Sequence, residues 1–293
     1  MSAIVALPPQ QVAALRADYD AAVSKKRLRF YAGLVIFSGL LLLAAHGAEV
    51  APKVLIERIG NLTSYFGRIF RLDTGATVFS DPVEWMWGWK GWLVLLAETL
   101  LISYVGTLLG AFSAFLLNFF AAKNVTPALW LQFLARRYLE FCRTVPELVF
   151  ALIFVIAFGL GPLPGVLAIA IHTTGALGKL YAEIVENIDM KPVEGVRATG
   201  AGWVQAMRYA VVPQVMAGFL SYTLLRFEIN VRGASVMGFV GAGGIGQELI
   251  VAIRKFYYSD VSAILLLIVV TVFVIDIGTG MLRSRLFGKE ART

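Results

Sequence analysis

The sequence predicts an all-α membrane protein with six transmembrane helices. Of its 293 residues, 58% are hydrophobic and only 15% are charged, and the mean hydropathy is +0.75. A typical soluble domain is about half apolar and about one-quarter charged. The apolar residues of this chain fall in runs close to the roughly 20 residues that cross the bilayer core as a helix. Composition and run length therefore indicate a chain that crosses the membrane several times.

The first predicted span covers residues 30–46 and follows a basic cluster at 25–29. A signal peptide has the same order of charge and apolar core. The leader is long and contains Asp18 and Asp20, however, which favours a span that is retained. Residues 1–29 then form an N-terminal segment, with a short surface helix expected around residues 10–22.

The longest polar connection covers residues 47–90 and ends in a group of tryptophans, which are enriched at membrane–water interfaces. Residues 91–282 form the predicted core with five more spans, and residues 283–293 form a tail. Gly161–Gly165, with two prolines, is predicted to be a tight turn between the third and fourth spans. The five core spans are predicted at residues 91–121, 144–160, 166–187, 210–231 and 261–282.

The basic residues predict the orientation. Most of the 26 Lys and Arg residues lie before the first span, after the second, after the fourth and after the last. Connections rich in Lys and Arg remain in the cytoplasm, so both termini are predicted to be cytoplasmic and residues 47–90 periplasmic. The net charge of +7 has this cause, and it does not indicate a nucleic-acid partner.

A polar stretch between the fourth and fifth spans predicts a short cytoplasmic helix at about residues 193–205. Pro192 suits the first turn of a helix, and Glu194 follows where the helix dipole favours an acid. Small residues come next, so the backbone could approach another surface closely, and Pro213 is expected to close the stretch. The small residues are Gly195, Ala198, Gly200, Ala201 and Gly202.

The run Gly241–Gly246 matches the glycine spacing of a dinucleotide-binding turn. It lies between two predicted spans, without the alternating strands and helices of such a fold, so we reject a nucleotide site. We predict a gate segment over residues 236–257 instead, because non-helical backbone is tolerated at membrane depth beside a wet cavity. A helix beginning near Ile245 would point its free N–H groups, which attract anions, at that cavity. Whether the segment opens or seals a path stays open.

Ionisable residues inside predicted spans usually face an interior or a water-filled path. Lys179 and Glu183 are four residues apart, as are Glu228 and Arg232, so each pair can lie on one helix face. A structural ion pair is the preferred interpretation for Lys179. Arg226 has no opposite charge at helical spacing, and its guanidinium would suit a doubly charged tetrahedral oxyanion.

The remaining polar residues give weaker signals. For His172, on an apolar helix, a structural hydrogen bond and a substrate contact both stay open. Glu147 is interpreted as a structural acid in the first turn of a helix. Cys142 is the single cysteine, which excludes an internal disulfide. No cluster has metal-ligand spacing and no nucleophile–base pattern stands out, so neither a metal site nor a catalytic site is expected.

The chain resembles the importer permeases of the ATP-binding-cassette class. Their cytoplasmic motif has an acidic residue, a Gly six positions later and a Pro thirteen beyond that Gly, which is the spacing of Glu194, Gly200 and Pro213. The block 226–246 is similar to the permeases of phosphonate importers, a family that includes phosphite and hypophosphite permeases. Shorter similar blocks lie at 159–162, 171–175 and 192–201.

The resemblance implies the type I importer permease fold and a function in moving phosphonate or a related phosphorus oxyanion inward by alternating access. It implies a homodimer in the bacterial inner membrane, two cytoplasmic ATPase subunits that hold Mg-ATP, and a periplasmic phosphonate-binding protein. This chain would hold no cofactor. The residues expected to couple to the ATPase are Glu194, Gly195, Arg197, Ala198, Gly200, Ala201 and Pro213. Those expected on the translocation path or gate are His172, Lys179, Arg226, Glu228, Asn230, Arg232, Gly241, Gly243, Gly244 and Gly246.

Two other functions stay open. A permease of the same class for methionine or another small solute would share the docking helix. A channel or secondary transporter would move anions without ATP and would need no such helix.

Overall fold

The computed structural model describes residues 8–50 and 52–290, and nearly all of them are helical. The ends of the predicted N-terminal segment and tail lie outside these residues. The chain divides into two compact units, and the division falls between Phe66 and Gly67. The first unit holds helix α1 (Pro9–Gly47) and most of α2 (Pro52–Ile69). The predicted surface helix and the predicted first span are parts of the single 39-residue helix α1.

The second unit contains the predicted core. A π-helical turn at Met207–Val211 precedes α10, and a 3-10 turn at Gly238–Val240 follows it. The helices are α3 (Pro82–Trp85), α4 (Trp89–Ala121), α5 (Leu129–Thr144), α6 (Glu147–Phe158), α7 (Pro162–Glu186), α8 (Lys191–Ala198), α9 (Trp203–Ala206), α10 (Val212–Met237), α11 (Ile245–Arg254) and α12 (Tyr258–Glu290).

Within the described residues, five helices are long and apolar enough to cross a membrane, and a sixth span exists only if α5 and α6 count as one. These two helices meet at an angle of 85°. The prediction of one continuous span at 144–160 is therefore wrong. The 12 residues of α6 reach only about 18 Å across a core of about 30 Å. Pro146 causes the break, since it holds the preceding Val145 in an extended conformation.

Two other predicted boundaries differ because a proline lies at a helix start. Pro162 begins α7, four residues before the predicted start, and its missing N–H is not needed there. The tight turn is therefore at Gly159–Gly161, where both glycines have a positive φ. Pro213 lies in the first turn of α10, inside a helical run from Trp203 to Val240. It does not close the stretch, because the helical run continues past it to Val240.

Close backbone approach places α7 at the centre of the second unit. Gly106 and Gly110 of α4 are four residues apart, and an added Cβ would come within 2.8 Å of Ile169 and Thr173 of α7, respectively. Small residues at this spacing let membrane helices pack closely. On α7 itself, Gly175 admits the backbone of α5 in the same way.

A buried amide joins three helices of this unit. Asn230 of α10 donates from Nδ2 to Oγ1 of Thr107 on α4, at 2.8 Å, and to Oγ1 of Thr173 on α7, at 2.9 Å. Asn230 and Thr173 are fully buried. The relative positions of α4, α7 and α10 are therefore held by packing and by hydrogen bonds together.

The second unit has two distinct ends. At one, which we call the glycine-rich end, Gly243 lies against Pro162 and Glu98. At the other, which we call the α8 end, Asn124 donates to the carbonyl of Val185 at 2.8 Å, just before α8 begins. The long helices connect these two ends.

Candidate functional site

Three ionisable side chains from different helices meet inside the second unit: Glu147 of α6, His172 of α7 and Arg226 of α10. Nη2 of Arg226 lies 2.6 Å from Nδ1 of His172, and Oε2 of Glu147 lies 3.6 Å from that nitrogen and 4.0 Å from Nη2. Each residue is roughly ten positions from the glycine-rich end of its helix, or about 15 Å at 1.5 Å per residue. The cluster therefore lies about halfway through a core of about 30 Å.

The cluster adds to two interpretations of the sequence. Arg226 has a carboxylate partner, although that partner comes from another helix and not from helical spacing on its own. Glu147 does lie in the first turn of α6, as predicted. It also lies beside His172 and Arg226, and the first-turn explanation did not predict these contacts. The sequence did carry one signal for a role of Glu147 beyond the first turn. The residue lies in a predicted span, and an ionised acid inside the membrane is costly.

The cluster is largely buried, but some of its polar atoms have no hydrogen-bond partner. The side chains of Arg226, His172 and Glu147 are only 14%, 19% and 23% exposed. Nε of Arg226 and Oε2 of Glu147 are nevertheless buried without a hydrogen-bond partner. Leaving a buried polar group unpaired costs about 1–3 kcal/mol. Arginine has no acceptor atom, so Nδ1 of His172 accepts the hydrogen bond from Arg226.

An open groove of about 450 Å³ reaches Glu147 between α6 and α10. Its walls are mainly apolar, and Arg232, whose side chain is 52% exposed, is its other charged residue. The remaining lining residues are Leu148, Ile229, Gly233 and Val236. The groove gives the charged cluster an open side.

The two predicted ion pairs along single helix faces are confirmed. Nη2 of Arg232 lies 2.7 Å from Oε1 of Glu228, whose side chain is 9% exposed and also contacts Asp276 of α12. Lys179 and Glu183 lie 3.4 Å apart, and both are about half exposed. Lys179 is in the α8 half of α7, so it lies apart from the Arg226 cluster.

A separate charged cavity of about 270 Å³ contains Lys179 near the α8 end. It lies among α4, α5 and α7 and is also lined by Arg136, Arg143 and Glu186. Arg136 forms an ion pair with Glu186. The sequence indicated the basic residues here as an orientation signal, but it did not place them around one cavity.

The glycine-rich segment is packed in the interior of the second unit. Gly241, Gly243 and Gly244 have φ values of +84°, +84° and +75°, a region that favours glycine. The helix predicted to begin near Ile245 does begin there. Its first N–H, however, is hydrogen bonded to a side chain of α4.

Side chains of α4 occupy that helix end. The N–H of Ile245 donates to Oγ1 of Thr99 at 2.9 Å, and the N–H of Gly244 reaches Oε1 of Glu98 at 3.4 Å. An added Cβ on Gly246 would meet the carbonyl of Ser235. Thr99 of α4 therefore occupies the first N–H of the helix that was predicted to attract an anion. Asn230, another predicted path residue, is likewise buried between helices.

The predicted docking helix is shorter than residues 193–205. Helix α8 ends at Ala198, and Gly200, with a φ of +85°, turns the chain away before α9 begins at Trp203. Gly200 and Ala201 are thus outside the helix. The N–H of Gly200 donates to the carbonyl of Arg197 at 3.0 Å, which is a common way to end a helix.

One face of α8 is anchored and the other is bare. Val193 is fully buried, whereas Glu194, Gly195, Arg197 and Ala198 are exposed. A Cβ added to Gly195 would have nothing within 4 Å, so packing inside this chain does not explain the glycine. The bare face is available to another molecule.

The anchor extends into the bundle through Trp203. Its Nε1 donates to the carbonyl of Val125 at 2.6 Å, and its ring stacks on Phe120 with centroids 5.3 Å apart. Val193 belongs to the same buried cluster as Val125 and Phe219. Packing in this cluster therefore links α8 to α4 and α10.

These features define a multi-pass helical membrane protein with a charged cluster at mid-depth and a short amphipathic helix presented at one end. The family model described as binding-protein-dependent transport system inner membrane component matches residues 106–288. The chain belongs to this family of ABC transporter permeases.

Its relatives include permeases for phosphorus oxyanions. The phosphite transport system permease protein PtxC of Stutzerimonas stutzeri is 43% identical over 197 residues, which is 67% of this chain and 72% of PtxC. The phosphate-import permease protein PhnE of Mycolicibacterium smegmatis is 39% identical over 233 residues, or 79% of this chain and 41% of that protein.

Among solved structures, the fold matches an inward-facing form of the MetNI methionine ABC transporter. The TM-score is 0.58 at 18% identity, and the match covers 70% of this chain and 98% of the other. This similarity concerns the fold alone. The predicted fold class, a type I ABC importer permease, is confirmed.

Proposed function

We propose that this chain is the permease subunit of an ATP-driven importer for phosphonate or a related phosphorus oxyanion, such as phosphite or a phosphate ester. The observation that carries the proposal is Arg226, a guanidinium that contacts His172 at mid-depth and lies next to Glu147, which lines an open groove. A guanidinium presents several donors in a planar fork, which suits an oxyanion. The names of the relatives, phosphite and phosphate permeases, support the same substrate class.

The proposed partners follow from the two ends and the open groove. The bare face of α8 would dock onto a cytoplasmic ATPase subunit that holds Mg-ATP. A periplasmic binding protein would deliver the anion at the glycine-rich end. A second copy of this chain would close the groove from lipid, since a charged path exposed to hydrocarbon is costly. This orientation places both termini in the cytoplasm of a bacterium, as the basic residues predict.

In the proposed cycle, ATP binding draws the ATPase subunits together and moves α8 with them. Val193 and Trp203 pass that movement to α4 and α10, so the path opens toward the periplasm. The anion then contacts Arg226 and His172, with Glu228, Arg232 and Lys179 along its route. Hydrolysis resets the path. We assign Gly241, Gly243, Gly244 and Gly246 to a scaffold that holds α11 against α4 during this movement.

Two alternatives predict different results. A permease for methionine or another small solute would share α8 but would not respond to phosphonate. A channel or secondary transporter would not need an exposed docking face on α8. Gly195 lies on that face, which favours an ATP-driven importer.

The test is ATP hydrolysis by the complete complex, with its own ATPase subunits and binding protein, in lipid nanodiscs. We expect stimulation by 2-aminoethylphosphonate or phosphite and none by methionine. Stimulation by methionine alone would overturn the substrate class but keep the importer. Anion flux through the chain in liposomes without any ATPase would overturn the importer itself.

A further inference from the structure

We propose that Glu147 is an internal occupant of the anion site at Arg226 and His172, and that the transported oxyanion enters by displacing this carboxylate. Glu147 would then decide which anions pass. The inference rests on the proposed function, and it adds a residue that selects between classes of anion.

The distances in the cluster show a carboxylate that neutralises Arg226 without hydrogen bonding to it. Oε2 of Glu147 is 3.6 Å from Nδ1 of His172 and 4.0 Å from Nη2 of Arg226, both beyond a normal hydrogen bond. Oε2 and the Nε of Arg226 remain buried and unpaired. The site therefore has a weakly held anion and an unused donor.

A phosphorus oxyanion matches the side of the Arg226 guanidinium to which Glu147 makes no hydrogen bond and where Nε is unpaired. Nε and Nη2 of Arg226 form part of a planar fork that binds two oxygens of one anion at once. A phosphonate or phosphite carries oxygens in a tetrahedral arrangement, so two can face Arg226 while another remains free. The carboxylate of Glu147 forms a hydrogen bond with neither of these nitrogens.

The surroundings give the carboxylate a place to go. Glu147 is the first residue of α6 and lines the open groove of about 450 Å³. Its Oε1 lies against Gly233 of α10, where any side chain would meet it. The absence of a side chain at position 233 thus makes room for the carboxylate on the groove side of the cluster. Arg232 lies along the same groove as a cation toward which the displaced carboxylate can turn.

Displacement of this kind selects against simple carboxylates. A solute with one carboxylate offers Arg226 the same group that Glu147 already supplies. Glu147 is attached to the chain, so it loses no translational freedom on binding, whereas the solute does. A phosphorus oxyanion offers an additional oxygen and, when doubly ionised, more charge. Glu147 would therefore exclude carboxylate solutes while admitting phosphorus oxyanions.

The test measures anion binding to the permease–ATPase complex in nanodiscs without the binding protein, so that only the permease selects. The probes are methylphosphonate and acetate. In Glu147→Gln we expect methylphosphonate to bind roughly tenfold more tightly than in the unmodified complex, and acetate to gain measurable binding. Glu57→Gln, which removes the same charge from an exposed residue of α2, should change neither affinity.

Other outcomes separate the inference from the proposed function. Unchanged or weaker methylphosphonate binding in Glu147→Gln, with an intact unmodified complex, would overturn the displacement model alone. Stimulation of the unmodified complete complex by methionine and not by phosphonate would overturn the proposed substrate class first. If Glu147→Gln fails to assemble, Glu147→Asp keeps the charge but shortens its reach. That variant should also bind methylphosphonate more tightly, and equal affinity would refute the model.

Discussion

Nη2 of Arg226 on α10 lies 2.6 Å from Nδ1 of His172 on α7, although the two residues are 54 positions apart in the chain. The histidine accepts from the guanidinium and so fixes the direction of its planar fork. Asn230, one turn further along α10, holds the same two helices together. Arg226 is therefore oriented by its neighbours and is not a freely moving surface charge.

The orientation of Arg226 predicts that charge alone is insufficient at this position. Arg226→Lys keeps a cation but loses the paired donors, so uptake of methylphosphonate by cells carrying the complete importer should fall by roughly tenfold or more, about 1.4 kcal/mol. Membrane insertion should be unchanged. Arg137→Lys, at a residue whose side chain is 60% exposed, is the matched control and should transport normally. Normal uptake in Arg226→Lys would show that the fork is not used.

The bare face of α8 predicts a steric test of docking. Gly195→Trp adds a large side chain where nothing of this chain lies within 4 Å, so folding should be retained while the ATPase subunit no longer copurifies. Gly200 is a poorer test site, since its φ of +85° would add backbone strain. Leu129→Trp, at a residue 81% exposed near the same end of the unit, should copurify normally. Full ATPase recovery with Gly195→Trp would exclude docking at this face.

The amide of Asn230 predicts a measurable contribution to stability. Asn230→Leu has similar volume but loses the hydrogen bonds to Thr107 and Thr173. We expect a loss of about 1 kcal/mol, the order seen for hydrogen bonds between membrane helices. Thermal unfolding of the detergent-solubilised chain would measure it. Asn187→Leu is the control, since Asn187 is exposed and donates only to its own helix; an equal loss there would remove any special role for Asn230.

The glycine-rich segment predicts a difference between two glycines of similar conformation. Gly244 and Gly75 have φ values of +75° and +85°, so alanine at either should cost about 1–3 kcal/mol through backbone strain. Only Gly244 also faces a neighbour, Thr99, which an added methyl would strike, whereas Gly75 has nothing within 4 Å. Gly244→Ala should therefore lower the unfolding temperature more than Gly75→Ala. Equal shifts would mean that the contact with α4 carries no energy.

Much of the helical architecture could be predicted from the chain alone. Helices α4, α7 and α12 correspond to long apolar runs, because a helix that faces lipid or other helices needs apolar residues along most of its surface. The predictions failed at prolines. Val145–Pro146 breaks a predicted span, whereas Pro213 lies within a continuous helical run, because the effect of a missing N–H depends on whether the local helix requires that donor.

The sequence by itself determined the class of this protein, the approximate spans and the individual ionisable residues that a membrane makes costly. Arg226 and His172 are recognisable one at a time from that rule. Their meeting with Glu147 is not, because helical periodicity relates only residues three or four positions apart. The contact depends on how closely α6, α7 and α10 approach, and Gly233 of α10 leaves room for Glu147 there. Only the tertiary structure decides it, since packing between helices brings distant parts of the chain to one depth.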